Sequence, residues 1–188
     1  MKMSNQTSIL KTERTLLRYI TLEDAKSMYQ YTSDDETMKY LSFPKHTSVE
    51  HTEQVIRDVF FPKYKDGKSY DLAVIWKETG EMIGTAGFNT INDGIGVLGY
   101  AINKKYWGKG VMTEIVQEFI RFGFEELGLV GVSAYYYEDN HASGKVMSKC
   151  GLKYTKSEKK EMPLRGVPII LETHLYELSR ETYLETIK

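Results

Sequence analysis

The stretch Val97-Leu98-Gly99-Tyr100-Ala101-Ile102-Asn103-Lys104-Lys105-Tyr106-Trp107-Gly108-Lys109-Gly110-Val111 passes from an apolar run, through a basic segment bordered by glycines, into the start of a helical pattern. Its first six residues read as a strand, and a helix begins directly at Val111. Glycine admits backbone conformations closed to other residues, and the N–H groups of a helix's first turn have no partner inside the helix. The spacing therefore predicts an anion cradle that a diphosphate would fit.

On the N-terminal side, Leu16 to Ile20 reads as a strand. Thr21-Leu22-Glu23-Asp24 reads as a capped helix start, with the helix reaching about Thr32. Val49, Val55, Ile56, Val59 and Phe60 keep a helical spacing that Pro62 is expected to end. Tyr70 to Trp76 and Met82 to Ile91 are rich in β-branched and aromatic residues and join through Glu78-Thr79-Gly80-Glu81; Asn92-Asp93-Gly94 makes the next tight turn. Beyond the cradle, Val111, Ile115, Phe119, Ile120, Phe122 and Phe124 belong to a helix that Gly128 stops. Leu129 to Tyr137 follows as a strand and His141 to Lys149 as a short helix. Two more strands, about Tyr154 to Glu161 and Ile169 to Leu178, flank the turn-prone Pro163-Leu164-Arg165-Gly166. Hairpins first, then strand-helix-strand-helix, predict an α/β fold with a mixed sheet and helices on its faces.

With 188 residues, 41% of them hydrophobic, the chain is long enough for one core, and we expect a single domain over 1–188, ordered from about 10 to about 180. A formal net charge of -1 points neither to nucleic acid nor to an anionic membrane. Cys150 is the single cysteine, which excludes a disulfide framework within the chain, and no apolar run has the length of a membrane span. Met1 to Ser8 is polar and lacks a signal-peptide hydrophobic region, so the cytoplasm is the expected address. His46, His51 and His174 have no metal-binding spacing, and no metal is expected. Monomer and homodimer both fit.

Two other phosphate motifs fail on context. Gly94-Ile95-Gly96-Val97-Leu98-Gly99 matches the dinucleotide fingerprint formally, but it enters a strand where that mechanism needs a helix. Gly108-Lys109-Gly110 has glycine where a P-loop has the magnesium-binding hydroxyl, and Asn103 stands at the position of its first glycine. What is left holds a diphosphate without a metal.

That arrangement resembles the acetyl-CoA site of the GNAT acetyltransferases, whose motif runs Arg or Gln, two residues, Gly, one residue, Gly or Ala; here Lys105, Gly108 and Gly110 stand at those places. The branch typified by RimJ and RimL is similar in having Tyr106-Trp107-Gly108-Lys109-Gly110 followed by Thr113-Glu114. Thr12-Glu13-Arg14-Thr15-Leu16-Leu17-Arg18 resembles its opening strand, Ile83-Gly84-Thr85-Ala86-Gly87-Phe88 its central strand, and Asn140-His141-Ala142-Ser143, continuing to Lys149-Cys150-Gly151-Leu152, its second acetyl-CoA motif. The resemblance implies a three-layer fold with six to seven strands splayed at the centre. It also implies direct acetyl transfer from acetyl-CoA to a primary amine, most readily a protein N-terminus. A small amine, such as an amino acid, polyamine or antibiotic, is the alternative acceptor, and a non-catalytic acyl-CoA sensor the alternative role.

By the same resemblance, the main chain of Tyr100, Ala101 and Ile102 lines the acetyl and pantetheine groups. Lys105, Trp107, Gly108, Lys109, Gly110, Val111, Met112 and Thr113 form the diphosphate seat, and Asn140 serves the pantetheine amides. The tyrosine that many relatives use as acid is here Met147, which cannot donate. Ser143, in the same turn as Asn140, is then the candidate to protonate the leaving thiolate, with water as the rival. The strand glutamate of many relatives is here Val97. Glu161 is the leading candidate base and Glu172 the reserve. An α-amine of pKa about 8 is roughly one-tenth neutral at pH 7, and its deprotonation costs about 1.4 kcal/mol against nearly 5 for a lysine amine, so an N-terminal acceptor tolerates a weak base best.

Other readings compete with these roles. Trp107 can pack under the loop as readily as touch the cofactor, Cys150 reads as a buried small residue, and Lys159-Lys160-Glu161 can equally be a solvated strand end.

Overall fold

Burial alternates along β2 (Thr15–Arg18), with Thr15 and Leu17 inside. This strand pairs antiparallel with the two-residue β1 (Leu10–Lys11) on one side and on the other with β3 (Leu72–Trp76), where Leu17 lies opposite Val74. The computed structural model describes residues 9–65, 69–137 and 139–186, so the sequence reading of Met1 to Ser8 falls outside the described residues. The remaining strands among the described residues are β4 (Met82–Asn92), β5 (Ile95–Ile102), β6 (Gly131–Tyr137), β7 (Lys153–Leu164) and β8 (Val167–Ser179), giving one mixed sheet of eight described strands in the order β1-β2-β3-β4-β5-β6-β8-β7. The helices are α1 (Ala25–Thr32), α2 (Asp35–Met38), α3 (Val49–Val55), α4 (Phe61–Tyr64), α5 (Val111–Glu125), α6 (His141–Lys149) and α7 (Arg180–Thr186). Six to seven strands were expected; β1 is the addition, too short for any periodicity to show.

Two compact units divide the chain. The first takes the described residues of Met1–Lys39, Lys45–Gly87 and Tyr100–Val111. Its core includes Leu17, Ile20, Met28, Tyr31, Leu72 and Val74, all essentially inaccessible. Asp24 accepts from Thr21 N at 2.8 Å and holds Arg18 through two bonds of 2.7 and 2.8 Å, which fixes the entry to α1. Pro62 does not end the helix after α3. A π-helical turn, Ile56–Phe60, precedes it, with Phe61 N–H bonded to Ile56 O, so Pro62 falls in the first turn of α4, where no amide hydrogen is required.

The second unit takes Tyr40–Pro44, Phe88–Gly99 and the described residues of Met112–Lys188. Asp93 (φ 50°) and Gly94 (φ 75°) turn β4 into β5, and Phe119 of α5 meets Phe88 edge-on at 5.7 Å. The Arg180 guanidinium donates to Phe124 O at 2.5 Å at the end of α5. β5 and β6 are parallel partners at Ile95–Gly131, Gly96–Val132 and Val97–Ser133, and among the described residues the ladder stops there although both strands run on. β6 continues against β8 from Gly131–Ser179 to Tyr137–Thr173. The final hairpin is longer than its sequence suggests. It turns on Arg165 (φ 50°) and Gly166 (φ 79°) alone, and Pro163, opposite Pro168, is part of edge strand β7, which tolerates a missing N–H. No helix among the described residues is long and apolar enough to cross a membrane.

Candidate functional site

The loop after β5 is fastened residue by residue. Asn103 N–H donates to Ile83 O at 2.8 Å, its side-chain oxygen accepts from Lys105 N at 3.0 Å, and its carbonyl accepts from Tyr106 N at 2.9 Å. Asn103 thus caps a single 3-10 turn, Lys104–Tyr106. Trp107 donates its indole N–H to Ile102 O at 2.9 Å while its ring stays 44% exposed, so it pins the loop and still presents a face to solvent. Tyr106 packs on Trp76 at 5.1 Å, and Lys109 Nζ lies 5.6 Å from the Tyr106 ring centre.

Gly108 and Gly110 both have positive φ, 70° and 74°, with Lys109 between them outside that region. A β-carbon on Gly108 would meet nothing within 4 Å, so conformation and not space demands glycine there. Alternation of this kind turns successive N–H groups toward a common point, an anion-binding nest, and the first turn of α5 follows directly. Lys105, Gly108, Lys109 and Gly110 are exposed; Val111 and Met112 are buried and Thr113 is half-buried. The loop's residues therefore suit a diphosphate with their backbone donors and two lysines.

Lys104 is committed elsewhere. Its ammonium bonds Asp34 at 2.6 Å and approaches Glu36 at 3.4 Å. Lys104, and then the Thr37 N–H, hold the Asp34 carboxyl down at about 2. Gln30, Asp34, Asn103, Lys104 and Lys105 line an open cavity of about 300 Å³.

Of the strand residues expected near the acetyl group, Ala101 and Ile102 are buried and Tyr100 is half-buried at the end of β5. In the second unit, Asn140 precedes α6 with φ -76° and ψ 52°, and its side chain caps no helix N–H. Ser143 is half-buried on α6, its N–H bonded to Asn140 O at 3.0 Å. Gly144 allows α6 to seat on β6, since a β-carbon there would lie 2.7 Å from the Tyr136 ring. Met147 is 2% exposed and belongs to the core. Tyr137 is buried, and burial raises its phenol well above the ordinary value.

Glu161 is exposed on β7 opposite Ile170, and its carboxylate forms no hydrogen bond or ion pair with any described residue, so nothing joins it to Ser143. Its neighbour Glu158 is held by Lys156 at 2.8 Å and Lys160 at 3.0 Å. Glu172 is half-buried opposite Lys159. Burial pushes the Cys150 thiol up to about 12, and its Sγ donates to Thr113 O at 3.4 Å, as a structural cysteine would. His46 is buried against Thr52 Oγ1 at 2.9 Å, and burial, then His51, lowers it to about 4. No cluster able to hold a metal ion occurs among the described residues.

Sequence reasoning missed Arg14, whose Nη1 donates to Lys109 O at 2.9 Å, and the tie from Lys104 to Asp34. Asn103 was legible in principle, as an asparagine between a strand end and a turn is a capping signal.

The acetyltransferase (GNAT) domain family matches residues 14–153. The chain belongs to this family of acetyl-CoA-dependent N-acetyltransferases. It is 38% identical over 144 residues, 74% of its length and 79% of the relative's, to the uncharacterized N-acetyltransferase p20 of Bacillus licheniformis. Among solved structures, a GNAT-family acetyltransferase from Bacillus anthracis superposes with TM-score 0.77 at 25% identity over 92% of this chain and 98% of that one. RimL, the ribosomal L7/L12 α-N-protein acetyltransferase, shares the fold with TM-score 0.79 at 18% identity over 94% and 99%.

Proposed function

We propose that this acetyltransferase acts on the α-amino group of a protein N-terminus, with the whole chain serving as one catalytic domain and the cytoplasm as its place of action. The observation that carries the acceptor class is the apolar character of both usual proton-transfer positions: Val97, half-buried opposite Ser133, and Met147, sealed in the core. A site poor in proton carriers suits an amine that is already about one-tenth neutral at pH 7. The fold shared with RimL, named for an α-N-protein activity, supports the same reading.

In this reading the diphosphate rests on the N–H groups from Gly108 to Thr113, with Lys105 and Lys109 supplying charge and Trp107 its exposed face. The main chain of Tyr100, Ala101 and Ile102 orients the acetyl group, and the Asn140 carboxamide holds the pantetheine amides. Ser143 gives its proton to the leaving thiolate, and Glu161 takes the proton of the attacking amine. The thioester supplies the activated acetyl group.

The test is thiol release from acetyl-CoA over a panel of acceptors: peptides with a free α-amine, the same peptides blocked at that amine but carrying lysine, polyamines and amino acids. Release with the free peptides, lost on blocking, is the expected result. Turnover of small amines with none on any peptide would overturn the acceptor class.

A further inference from the structure

We infer that Arg14 is a positioning residue for the phosphate seat, holding the peptide between Lys109 and Gly110 so that the Gly110 N–H faces the diphosphate; this rests on the reading of the loop given above. The backbone carrying Arg14 is braced. Thr15 N donates to Thr12 Oγ1 at 3.1 Å, Thr12 N to Thr15 O at 3.0 Å, Lys77 N to Arg14 O at 3.1 Å, and Lys77 Nζ to Thr12 O and Glu13 O at 2.5 and 3.0 Å. From this mount the guanidinium reaches across 95 residues of sequence to the Lys109 carbonyl at 2.9 Å, and its Nη2 lies 3.8 Å from where a Gly110 β-carbon would stand.

The consequence follows from peptide planarity. No cis peptide occurs among the described residues, and in a trans unit the C=O of one residue and the N–H of the next point in opposite directions. With the Lys109 carbonyl held by Arg14, the Gly110 N–H points away from the guanidinium. Glycines on both sides of Lys109 leave that peptide little rotational resistance of its own. A charged donor on the carbonyl is what keeps the nest preorganised, and preorganised donors bind an anion without first having to be ordered.

The experiment compares wild type with Arg14→Met, which keeps length and removes the donor, and Arg14→Lys, which restores a donor and the charge. CoA binding is measured by calorimetry, acetyl-CoA kinetics by thiol release, and the Gly110 amide by nitrogen-15 NMR in the coenzyme-free protein. Arg14→Met is expected to weaken CoA binding about tenfold, with the loss falling on KM more than on kcat, and to shift or broaden the Gly110 amide; Arg14→Lys recovers binding to within about threefold of wild type. An unmoved Gly110 amide in Arg14→Met, or unchanged CoA affinity, sinks the positioning role while leaving the acetyl-CoA site intact. Wild-type protein that binds no CoA would overturn the site and this inference together. Should Arg14→Met fail to fold, Arg14→Lys carries the test: an ammonium without the planar fork is expected to shift the Gly110 amide measurably while CoA affinity stays within about threefold of wild type, and an unmoved amide overturns the positioning role.

Discussion

The cradle from Asn103 to Thr113 and the β7–β8 hairpin were both read from short motifs, yet they are fastened in opposite ways. The cradle is tied to distant chain at Ile83, Arg14 and Asp34, and both glycine conformations lie within that frame. The hairpin bonds chiefly to itself and to β6. Toward its turn, Val167 and Ile170 are 57% and 73% exposed, and the turn is pinned at Arg165 N to Leu41 O (2.8 Å) and Gly166 N to Ser42 O (2.9 Å). On the proposed roles, a segment that receives the same chemical group in every turnover gains from rigidity, whereas a surface that meets a variable acceptor does not need it. The contrast predicts that damage to the cradle removes binding, and damage to the hairpin alters turnover.

Gly110→Glu should be the most severe change. Its φ of 74° costs a side chain about 1–2 kcal/mol, and a carboxylate is brought to an anion seat. The acetyl-CoA dissociation constant should rise by roughly a hundredfold or more. An unchanged constant in calorimetry would break the comparison at its stronger end. Ser143→Ala should come next, lowering kcat by about a hundredfold while acetyl-CoA affinity moves by less than about threefold. Equal turnover would return the leaving-group proton to water.

The local geometry of these two segments was legible because their signals are local. Glycine spacing, an apolar strand and the period of α5 all lie within one short window, and the Asn140–Ser143 turn is as compact. The longer ties were hidden, since nothing near Arg14 in sequence marks a partner 95 residues away, nor does Asp34 announce Lys104 across 70. Pro62 misled for a physical reason: its effect depends on whether the preceding ladder is α or π, which the residue pattern does not encode. Pro163 misled likewise, because a proline that breaks an inner strand is harmless on an edge. The proposed acid and base, Ser143 and Glu161, were the least readable. Met147 identifies what is missing, but the exposed Glu161 carries no local mark separating a base from a solvated strand end.

Glu161→Gln tests the hairpin's end of the comparison. If Glu161 accepts the amine proton, kcat/KM at pH 7 should fall about tenfold, and the deficit should shrink as pH passes the α-amine pKa near 8, where the acceptor is neutral without help. A pH profile parallel to wild type at every point would assign Glu161 to the solvated strand. Asn103→Ala should then cost about 1 kcal/mol of unfolding free energy in denaturant, the usual size of a lost cap, and weaken acetyl-CoA binding about threefold. Full stability with normal binding would mean that the cradle does not depend on its cap.

Lys104→Met should have the smallest effect, and its sign is fixed by Asp34. That carboxyl sits at about 2 against an ordinary 3.8, so its contribution to stability is fully present above the ordinary value and is lost as pH falls through about 2. Removing Lys104 takes away the largest cause of the depression. The Asp34 pKa in a carboxyl carbon-13 titration should therefore rise, yet stay below the ordinary value because Thr37 still donates its N–H at 2.9 Å and its hydroxyl at 2.8 Å. Since the Lys104 side chain is 45% exposed, solvent screening keeps the stability loss at neutral pH below that of Asn103→Ala, and the loss should vanish in strong acid. An Asp34 titration unchanged by Lys104→Met would show that the cradle is held without this tie, leaving Asn103 and Arg14 to account for its rigidity.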